Sequence, residues 1–335
     1  MTPITSLKHR AAWIFLVTTM FVAPGMNGPF GRASGQISAP TAAAPEKLII
    51  DTDIGDDIDD AFALALALSS HHLQILGVTT AWGDTDLRAR LVERLLKQTG
   101  HENIPVAVGP KTPPVSPFTQ ASWAEAFPTP AKEWPNAIDF ILDAIRRNPG
   151  QITLISLAPL SNVSALMERD PGTFRKLKRV VMMGGSIRRG YGDLGYLPDR
   201  GPVAEYNVKA DIPAAKELFR SGVPIDMMPL DSTQLKLDES MRATLFGQHT
   251  PSTDALDELY QQWVAFPPNL TPTLYDAMAV AVVMDPSLCP AIPMRIHIDD
   301  EGFTRVETGI PNARICLRSD SDKFFHFYIP QVLGE

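Results

Sequence analysis

The sequence predicts a single α/β domain built on an open, mostly parallel β-sheet flanked by helices. Two observations support this prediction. First, short apolar runs rich in β-branched residues alternate with longer amphipathic segments along most of the chain. Such alternation is typical of βαβ units, in which a helix crosses over between two parallel strands. Second, 44% of the 335 residues are hydrophobic, which provides enough apolar surface for a core of that size.

The predicted elements follow one another in a regular order. Six apolar runs are expected to be strands, at residues 47–50, 75–79, 104–108, 152–155, 180–183 and 224–228. Helical spacing of apolar residues predicts helices at residues 59–68, 87–96, 138–145, 160–167, 212–219 and 277–284. Binding sites in parallel sheets lie beyond the carboxyl ends of the strands. We therefore expect the loop after residue 50 to lie at such a site.

Two segments interrupt this alternation. Residues 110–135 are rich in proline and aromatic side chains, and residues 186–202 are rich in glycine and arginine. Long loops in compact domains are often lids or binding loops, but static surface loops have a similar composition. The sequence leaves both interpretations open for each segment.

The first forty residues have the pattern of a secretory signal peptide followed by a flexible leader. Lys8 and Arg10 precede an apolar run at residues 11–23, and a segment rich in small residues and proline continues to residue 45. The run is shorter than the roughly 20 residues of a membrane span, which favours a cleaved signal over a membrane anchor or a disordered tail. We expect a secreted or periplasmic protein without stable membrane association, whose folded domain covers residues 46–335.

The charge balance and the cysteine count exclude several classes of function. Aspartate and glutamate number 38 against 30 lysines and arginines, which gives a net charge of −8. A nucleic-acid binder needs a basic face, so no nucleic-acid partner is expected. The two cysteines, Cys289 and Cys316, cannot build a disulfide framework or a CxxC zinc site, although they could pair in an oxidising compartment.

An unusually acidic loop follows the first predicted strand. Residues 51–60 hold six aspartates. So many like charges repel one another strongly unless a cation neutralises them. Carboxylate oxygens favour Ca²⁺ or Mg²⁺ over zinc or copper. The alternative is a solvated acidic turn that caps the next helix, but capping accounts for only one or two of the six. A metal site is therefore the preferred interpretation.

Two other acidic motifs fit this loop less well. An EF-hand needs ligands at loop positions one, three and five, glycine at six and glutamate at twelve, and no aspartate here starts such a series. A phosphotransferase of the haloacid-dehalogenase type shares the spacing of Asp51 and Asp53. However, Gly55 stands where that loop carries threonine or valine, and the acidic residues here continue into the helix.

An ordered series of short motifs resembles the inosine–uridine-preferring nucleoside hydrolase family. The series begins with Asp51-Thr52-Asp53, Gly55 and Asp59-Asp60-Ala61. Further similar segments lie at residues 75–80, 103–106, 158–162, 183–185, 204–207, 221–224, 230–231, 275–280 and 285–287. The resemblance implies a Rossmann-like α/β fold with Ca²⁺ at the carboxyl edge of the sheet. It also implies an enzyme that hydrolyses the N-glycosidic bond of a small-molecule ribonucleoside to free base and ribose, without an organic cofactor.

The resemblance implies roles for individual residues as well. Asp53, Asp60 and Asp276 would bind Ca²⁺ through their carboxylates, and Leu157 through its backbone carbonyl. Asp59 would be the general base on the attacking water. The sugar would be held by the following residues: Asp84, Met183, Asp199, Glu205 and Asn207. Simpler roles are a helix cap for Asp276, a polar turn for Glu205 and Asn207, and core packing for Met183.

The sequence departs from the family pattern at several places, and two of these departures concern the catalytic groups. Three residues follow Gly55 before the next acidic pair, where the common form has one, so Asp57 is an alternative general base. Tyr275 stands where many members have a histidine that protonates the leaving base. A tyrosine is a weaker acid than histidine, so Tyr275 would either donate this proton or stack on the base.

These departures leave the substrate and part of the mechanism open. A hydrolase of another N-ribosyl compound is the first alternative. A non-catalytic, calcium-dependent nucleoside- or sugar-binding protein is the second, and a phosphohydrolase is the third. The family resemblance also implies a homo-oligomer, because members are commonly dimers or tetramers.

Overall fold

The chain folds around a mostly parallel β-sheet, which confirms the predicted fold class. The computed structural model describes residues 45–114, 116–128, 133–192, 201–265 and 271–334, and in this part of the chain the sheet has nine strands. The strands are β1 (Glu46–Thr52), β2 (Leu73–Thr80), β3 (Val106–Val108), β4 (Ile152–Ser156), β5 (Arg179–Met183), β6 (Ile225–Met228), β7 (Ile292–Ile298), β8 (Thr304–Glu307) and β9 (Ala313–Ile315).

Helices connect the strands and cover both faces of the sheet. In the described ranges they are α1 (Asp59–Leu68), α2 (Thr85–Gln98), α3 (Ala121–Glu125), α4 (Ala137–Arg147), α5 (Ser161–Arg169), α6 (Pro171–Phe174), α7 (Tyr206–Ala210), α8 (Ile212–Leu218), α9 (Leu230–Thr233), α10 (Glu239–Phe246), α11 (Pro251–Trp263), α12 (Ala277–Met284) and α13 (Ser321–Leu333). A 3-10 turn at Pro286–Leu288 follows α12. Polar side chains cap several of these helices, as Asn136 does for α4 through the backbone N–H groups of Ile138 and Asp139.

The strand order creates the crevice in which a site is expected. The order across the sheet is β3-β2-β1-β4-β5-β6-β9-β7-β8. In this spatial order, the seven strands from β3 across to β9 pair in parallel with their neighbours. Strand β7 runs antiparallel to both β9 and β8. The chain therefore extends the sheet in one direction from β1 and in the other from β4. A crevice opens outside the carboxyl ends of the strands at such a reversal.

The central strands are apolar on both sides because helices cover both faces of the sheet. On β1, Leu48 and Ile50 belong to one buried cluster, which contains α1, α2 and α12 side chains. Ile49 points to the other face and belongs to a second cluster with α4, α5 and α8 side chains. Successive side chains of a strand point to opposite faces, so one apolar run supplies both cores.

Two helices are buried around their whole circumference and begin at the crevice. All ten residues of α1 are buried, including the acidic pair Asp59 and Asp60 at its start. In α12 the residues 277–283 are buried, and Asp276 immediately precedes the helix. Tyr328 of α13 links that helix to α1 by donating a hydrogen bond to the carbonyl of Phe62 at 2.9 Å. The amino ends of α1 and α12 are therefore fixed rigidly at the carboxyl edge of the sheet.

The antiparallel extension of the sheet and several helices add to the predicted pattern. Strands β7, β8 and β9 and helices α10, α11 and α13 have no counterpart among the predicted elements. A disulfide links Cys289, which follows the 3-10 turn, to Cys316 at the end of β9. No helix in the described part of the chain is long and apolar enough to cross a membrane. The predicted leader at residues 1–40 and the sugar-pocket candidate Asp199 lie outside the described residues.

Candidate active site

A cavity of about 610 Å³ opens at the reversal of strand order, beyond the carboxyl ends of β1, β4 and β5. Most of the predicted site residues line it, although they come from distant parts of the sequence. The lining residues are Asp53, Asp56, Asp57, Asp59, Asp60, Ser116, Pro117, Thr119, Leu157, Met183, Tyr191, Glu205, Tyr206, Asn207, Trp263, Tyr275 and Asp276. The volume is within the range of small-molecule sites.

The floor of the cavity is a cluster of buried carboxylates. Asp59, Asp60 and Asp276 each place a carboxylate oxygen within 4.8 Å of the other two. Asp53 is also buried and interacts electrostatically with Asp60. The sequence-predicted metal ligands Asp53, Asp60 and Asp276 thus lie together, with the predicted base Asp59 among them.

Helix capping does not explain this concentration of acidic groups. No side chain makes a capping hydrogen bond at the start of α1 or of α12. Asp60 instead accepts a hydrogen bond from the hydroxyl of Thr52 at 2.5 Å, and Asp276 makes no side-chain cap. The carboxylates lie at the amino ends of two buried helices, where the helix dipoles favour negative charge. The dipoles stabilise the cluster only partly.

The electrostatics of the cluster call for a cation. Burial, followed by repulsion from neighbouring carboxylates, raises the pKa of Asp53, Asp59 and Asp276 well above the usual range. Burial also raises the pKa of Asp60 to about 7, although the Thr52 hydroxyl opposes the shift. A divalent cation would remove the repulsion, and the donors available are all oxygen atoms, which suit Ca²⁺ or Mg²⁺. The residues present therefore fit a hard metal ion.

Leu157 and Asn207 bring backbone and amide groups to the same floor. Leu157 follows β4, and its N–H donates to the carbonyl of Asp51 at 2.8 Å, which fixes the turn. The carbonyl of Leu157 accepts a hydrogen bond from the Asn207 side-chain amide at 2.6 Å. The same amide is 3.3 Å from the carbonyl of Met183 at the end of β5. Asn207 thus connects α7 to the ends of β4 and β5. The carbonyl of Leu157 has a second lone pair with which it could also bind a metal ion.

Glu205 is held by a dense set of backbone donors. Its carboxylate accepts hydrogen bonds from the N–H groups of Gly185 at 2.7 Å, Asn207 at 2.9 Å and Val208 at 3.2 Å. It therefore caps α7 while also lining the cavity. Burial raises the pKa of Glu205, and the backbone hydrogen bonds oppose this shift. Glu205 can therefore serve both in a polar turn, as the simpler prediction had it, and as a contact for the sugar.

Two tyrosines form one aromatic wall of the cavity. The rings of Tyr191 and Tyr275 pack edge to face, with centroids 6.0 Å apart. The Tyr191 hydroxyl lies 3.4 Å from the Glu205 carboxylate. Burial and then the charge of Asp59 raise the pKa of Tyr275 to about 12, so this phenol keeps its proton at neutral pH. It is a hydrogen-bond donor but a weak acid.

Asp57 differs from the other loop carboxylates because it is exposed to solvent at the cavity wall. Its side chain accepts a hydrogen bond from the N–H of Ile58 at 2.7 Å, and the indole of Trp263 acts on it as a second donor. Both aspartates considered as general base, Asp57 and Asp59, therefore reach the cavity. Asp59 is the one that lies within the buried cluster.

A buried arginine that does not line the cavity fixes the acidic loop, and no sequence pattern indicated it. Arg88 of α2 is 2% exposed and pairs with both carboxylate oxygens of Asp56, at 3.1 and 3.0 Å. It also donates to the carbonyls of Asp53, Ile54 and Trp82. Asp56 is thus neutralised, and the backbone that carries Asp53 is fixed.

The two irregular segments contribute further residues that the sequence did not single out individually. In the first, Thr119 and Gln120 donate side-chain hydrogen bonds to the carbonyls of Asp56 and Asp57, both at 2.7 Å. Tyr191 comes from the second. The hydroxyl of Tyr206 accepts from the Trp82 indole at 3.1 Å and lies 3.2 Å from the Ser116 hydroxyl. The composition of both segments was the only signal for these contacts.

Asp84, expected at the sugar, is not among the residues that line the cavity. Its side chain caps α2 through the N–H of Leu87 at 3.3 Å and pairs with Lys111 at 3.1 Å. An N-cap side chain bonds to the backbone of the first turn of its own helix, as Asp84 does here. Because Asp84 does not line the cavity, its expected contact with the ribose stays a prediction. Asp199 lies outside the described residues.

Comparison with known proteins identifies relatives over most of the chain. The family model described as inosine-uridine preferring nucleoside hydrolase matches residues 48–326. Uridine nucleosidase 1 of Arabidopsis thaliana is 30% identical over 281 residues, which cover 78% of this chain and 79% of that protein. The pyrimidine-specific ribonucleoside hydrolase RihA of Citrobacter koseri is 27% identical over 307 residues, covering 83% and 95%. A Schizosaccharomyces pombe protein, C1683.06c, is 35% identical over 201 residues, and this match spans only 62% of its length.

Solved structures share the fold. A plant nucleoside hydrolase, PpNRh1, superposes with a TM-score of 0.74 at 24% identity, covering 86% of this chain and 99% of its own. A purine-preferring ribonucleoside hydrolase from Gardnerella vaginalis gives a TM-score of 0.73 at 23% identity, covering 86% and 98%. At these identities the likeness extends to the fold alone.

Proposed function

The chain is an enzyme of the inosine-uridine preferring nucleoside hydrolase family, and we propose that it hydrolyses the N-glycosidic bond of ribonucleosides with Ca²⁺ as its metal. The products would be free base and ribose. The observation that carries this proposal is the buried cluster of Asp59, Asp60 and Asp276 at the floor of a cavity of about 610 Å³. Burying several like charges together costs free energy of folding, so such a cluster is expected at a functional site.

The metal would be held by oxygen donors from four segments of the chain. Asp53 and Asp60 supply carboxylates from the acidic loop and α1, Asp276 supplies one from the start of α12, and Leu157 supplies its carbonyl. Bound Ca²⁺ would lower the pKa of a water molecule and hold the ribose diol. The hard oxygen set supports Ca²⁺ or Mg²⁺, and the family resemblance favours Ca²⁺.

We assign the general base to Asp59. Its carboxylate lies within the buried cluster beside Asp60 and Asp276, where the metal ion would hold the attacking water. It would take one proton from the attacking water. Asp57 is the next candidate, because it also reaches the cavity.

The carboxylates also suit the charge that develops during the reaction. Glycosidic cleavage passes through an oxocarbenium-like state with positive charge on the sugar. Fixed negative groups stabilise that charge without having to reorganise. Glu205, held by three backbone N–H groups, and Asn207 would bind ribose hydroxyls, and Met183 would pack against the sugar.

The wall formed by Tyr191 and Tyr275 would face the base. Because Tyr275 keeps its proton at neutral pH, it would assist the leaving group by hydrogen bonding or stacking, with little transfer of its proton. Two relatives are a uridine nucleosidase and a pyrimidine-specific ribonucleoside hydrolase, which makes uridine and cytidine the first substrates to examine.

We also propose that the enzyme works outside the cytoplasm and as a homo-oligomer. The signal-like start of the sequence and the disulfide between Cys289 and Cys316 support an oxidising compartment. Exposed apolar side chains on the β7–β9 extension support a contact between copies. These are Ile292, Val306 and Ile310, which are 49%, 48% and 85% exposed.

Ribose release from a panel of nucleosides tests the proposed function. Purified mature protein would be incubated with inosine, adenosine, guanosine, uridine and cytidine in the presence of Ca²⁺. We expect ribose from at least one nucleoside, loss of this activity in chelator, and its return when Ca²⁺ is added back. Full activity in chelator would contradict the role of the metal, and no ribose from any nucleoside would contradict hydrolysis of these substrates.

A further inference from the structure

The cavity is far more acidic than metal binding requires. Seven carboxylic acids line it: Asp53, Asp56, Asp57, Asp59, Asp60, Glu205 and Asp276. No lysine, arginine or histidine is among the described residues that line it. Arg88 neutralises Asp56 from behind, and one divalent ion would offset two more charges. The remaining carboxylates give the cavity a negative potential that attracts cations.

One of the uncompensated carboxylates borders the buried cluster but is itself exposed. Asp57 is exposed at the cavity wall, and none of the ion pairs among the described residues includes it. Its polar contacts are with the N–H of Ile58 and the indole of Trp263, which are neutral donors. Neutral donors do not cancel a charge, so that of Asp57 stays uncompensated at the cavity wall.

Aromatic rings surround the same space. Trp263, Tyr191, Tyr206 and Tyr275 all line the cavity, and the perpendicular packing of Tyr191 against Tyr275 presents a ring face beside a ring edge. The faces of tryptophan and tyrosine attract cations. A carboxylate beside such rings matches a flat heteroaromatic ring that carries a positive charge.

We propose that this enzyme prefers ribosides whose base is cationic, and that Asp57 together with Trp263 selects them. N-ribosylpyridinium compounds and N7-alkylated purine ribosides belong to this chemical class. The inference rests on the proposed hydrolytic function and specifies its substrate. It also suits the donor set of the cavity, because a cationic base needs no proton in order to leave.

The reaction balances without a general acid. The bond between C1′ and the base nitrogen breaks, and both of its electrons go to the nitrogen, so the base leaves as a neutral molecule. Water adds its hydroxyl to C1′, and Asp59 accepts the remaining proton. A cationic riboside and water thus give ribose, a neutral base and one proton.

Guanosine and 7-methylguanosine test the preference, because they differ by one methyl group and one positive charge. We would measure kcat/KM for both nucleosides with the wild type and with Asp57→Asn. The ratio of 7-methylguanosine to guanosine is expected to fall about five- to tenfold in Asp57→Asn, because one negative charge facing the base is lost. The intrinsic lability of 7-methylguanosine cancels when the two ratios are compared.

Asp86→Asn is the matched control. Asp86 is an exposed acidic residue that pairs with Lys111 and does not line the cavity, so its removal should leave the ratio unchanged. An unchanged ratio in Asp57→Asn would overturn the proposal. Equal loss of both activities, a hundredfold or more, would also overturn it and make Asp57 the general base.

A binding measurement separates failure of this inference from failure of the hydrolytic function. Thermal stabilisation by each nucleoside, measured in Ca²⁺ for the wild type and Asp57→Asn, reports the same preference without turnover. We expect 7-methylguanosine to stabilise the wild type more than guanosine does, and this difference to shrink in Asp57→Asn. Equal stabilisation of the wild type by both nucleosides would overturn the inference, whether or not ribose is released.

Discussion

At the scale of single residues, the central assignment is that of the general base. Asp59→Asn keeps the shape of the side chain but removes its ability to accept a proton. We expect kcat to fall between a hundredfold and ten-thousandfold at saturating Ca²⁺, because general-base catalysis contributes that much. The measurement is the initial rate of ribose release, with circular dichroism as a check of folding.

Asp57→Asn distinguishes the two candidate bases. If Asp59 is the base, Asp57→Asn retains far more turnover than Asp59→Asn with an uncharged nucleoside. Retention of most activity by Asp59→Asn, together with loss in Asp57→Asn, would reassign the base and contradict our interpretation of the acidic loop.

Arg88 is expected to stabilise the fold strongly, although it does not line the cavity. Arg88→Met keeps the length of the side chain but leaves Asp56 and three backbone carbonyls without their donor. We expect the free energy of unfolding to fall by about 3 kcal/mol, as for other buried ion pairs that lose one partner. Urea denaturation measures the change.

An exposed ion pair provides the control for Arg88. Arg169 pairs with Asp139, and the two side chains are 68% and 61% exposed. Arg169→Met is expected to change the stability by less than about 1 kcal/mol, because solvent screens such pairs. Similar small effects in both variants would show that the contacts of Arg88 contribute little.

The residue scale also shows what the sequence could and could not predict. The position of Asp59 and Asp60 at the start of a helix was predictable, because the family resemblance places this acidic pair there. The contacts of Arg88 and Tyr191 with the site depend on how distant segments pack, and local spacing carries no information about that. Asp84 follows a strand as a site residue would, but its capping of α2 could not be distinguished from a role at the sugar.

At the scale of elements, the acidic loop depends on a glycine. Gly55 has φ +126°, and a Cβ there would lie 2.2 Å from the ring of Phe118. Gly55→Ala therefore combines backbone strain with a steric clash. We expect a loss of stability of about 2 to 4 kcal/mol and a weaker affinity for Ca²⁺, because Asp53 and Asp56 flank this position. Calorimetric titration and urea denaturation measure both quantities.

Gly100→Ala separates strain from the clash. Gly100 has φ +77° with no atom within 4 Å of a built Cβ, so alanine there suffers the strain alone. We expect about 1 kcal/mol of destabilisation and no change in Ca²⁺ affinity. An equal effect of the two substitutions would mean that the contact between the loop and Phe118 is unimportant.

The elements that the sequence predicted correctly are those of the βαβ rhythm. Strands β1 to β6 and helices such as α1 and α4 combine apolar runs with the expected period, so their burial is visible in the sequence. Strand β7 is exposed over much of its length, and β9 has only three residues. Helix α13 contains Pro330. Such elements are defined by tertiary packing, which the periodicity does not show.

At the scale of the whole molecule, the buried carboxyl groups link stability to pH. Burial raises the pKa of Asp51 to about 6, and that of Asp60 to about 7, from ordinary values near 3.8. Between pH 3.8 and these raised values, the metal-free native state therefore binds more protons than the unfolded state. Its stability from these groups is fully present below about pH 4 and is lost as the pH rises through 6 to 7.

Ca²⁺ should reverse this dependence. The ion binds the ionised carboxylates, so its stabilising effect is expected to increase from pH 5 to pH 8. Thermal unfolding with Ca²⁺ and with chelator at both pH values measures the effect. A Ca²⁺-induced rise in Tm that is larger at pH 5 than at pH 8 would contradict a carboxylate metal site.

The most direct test of the central claim is the product balance from uridine in phosphate-free buffer with Ca²⁺. The account predicts uracil and free ribose in equal amounts, because water attacks C1′ and Asp59 accepts its proton. Formation of uracil only when phosphate is added, with ribose 1-phosphate as the second product, would contradict a hydrolytic site.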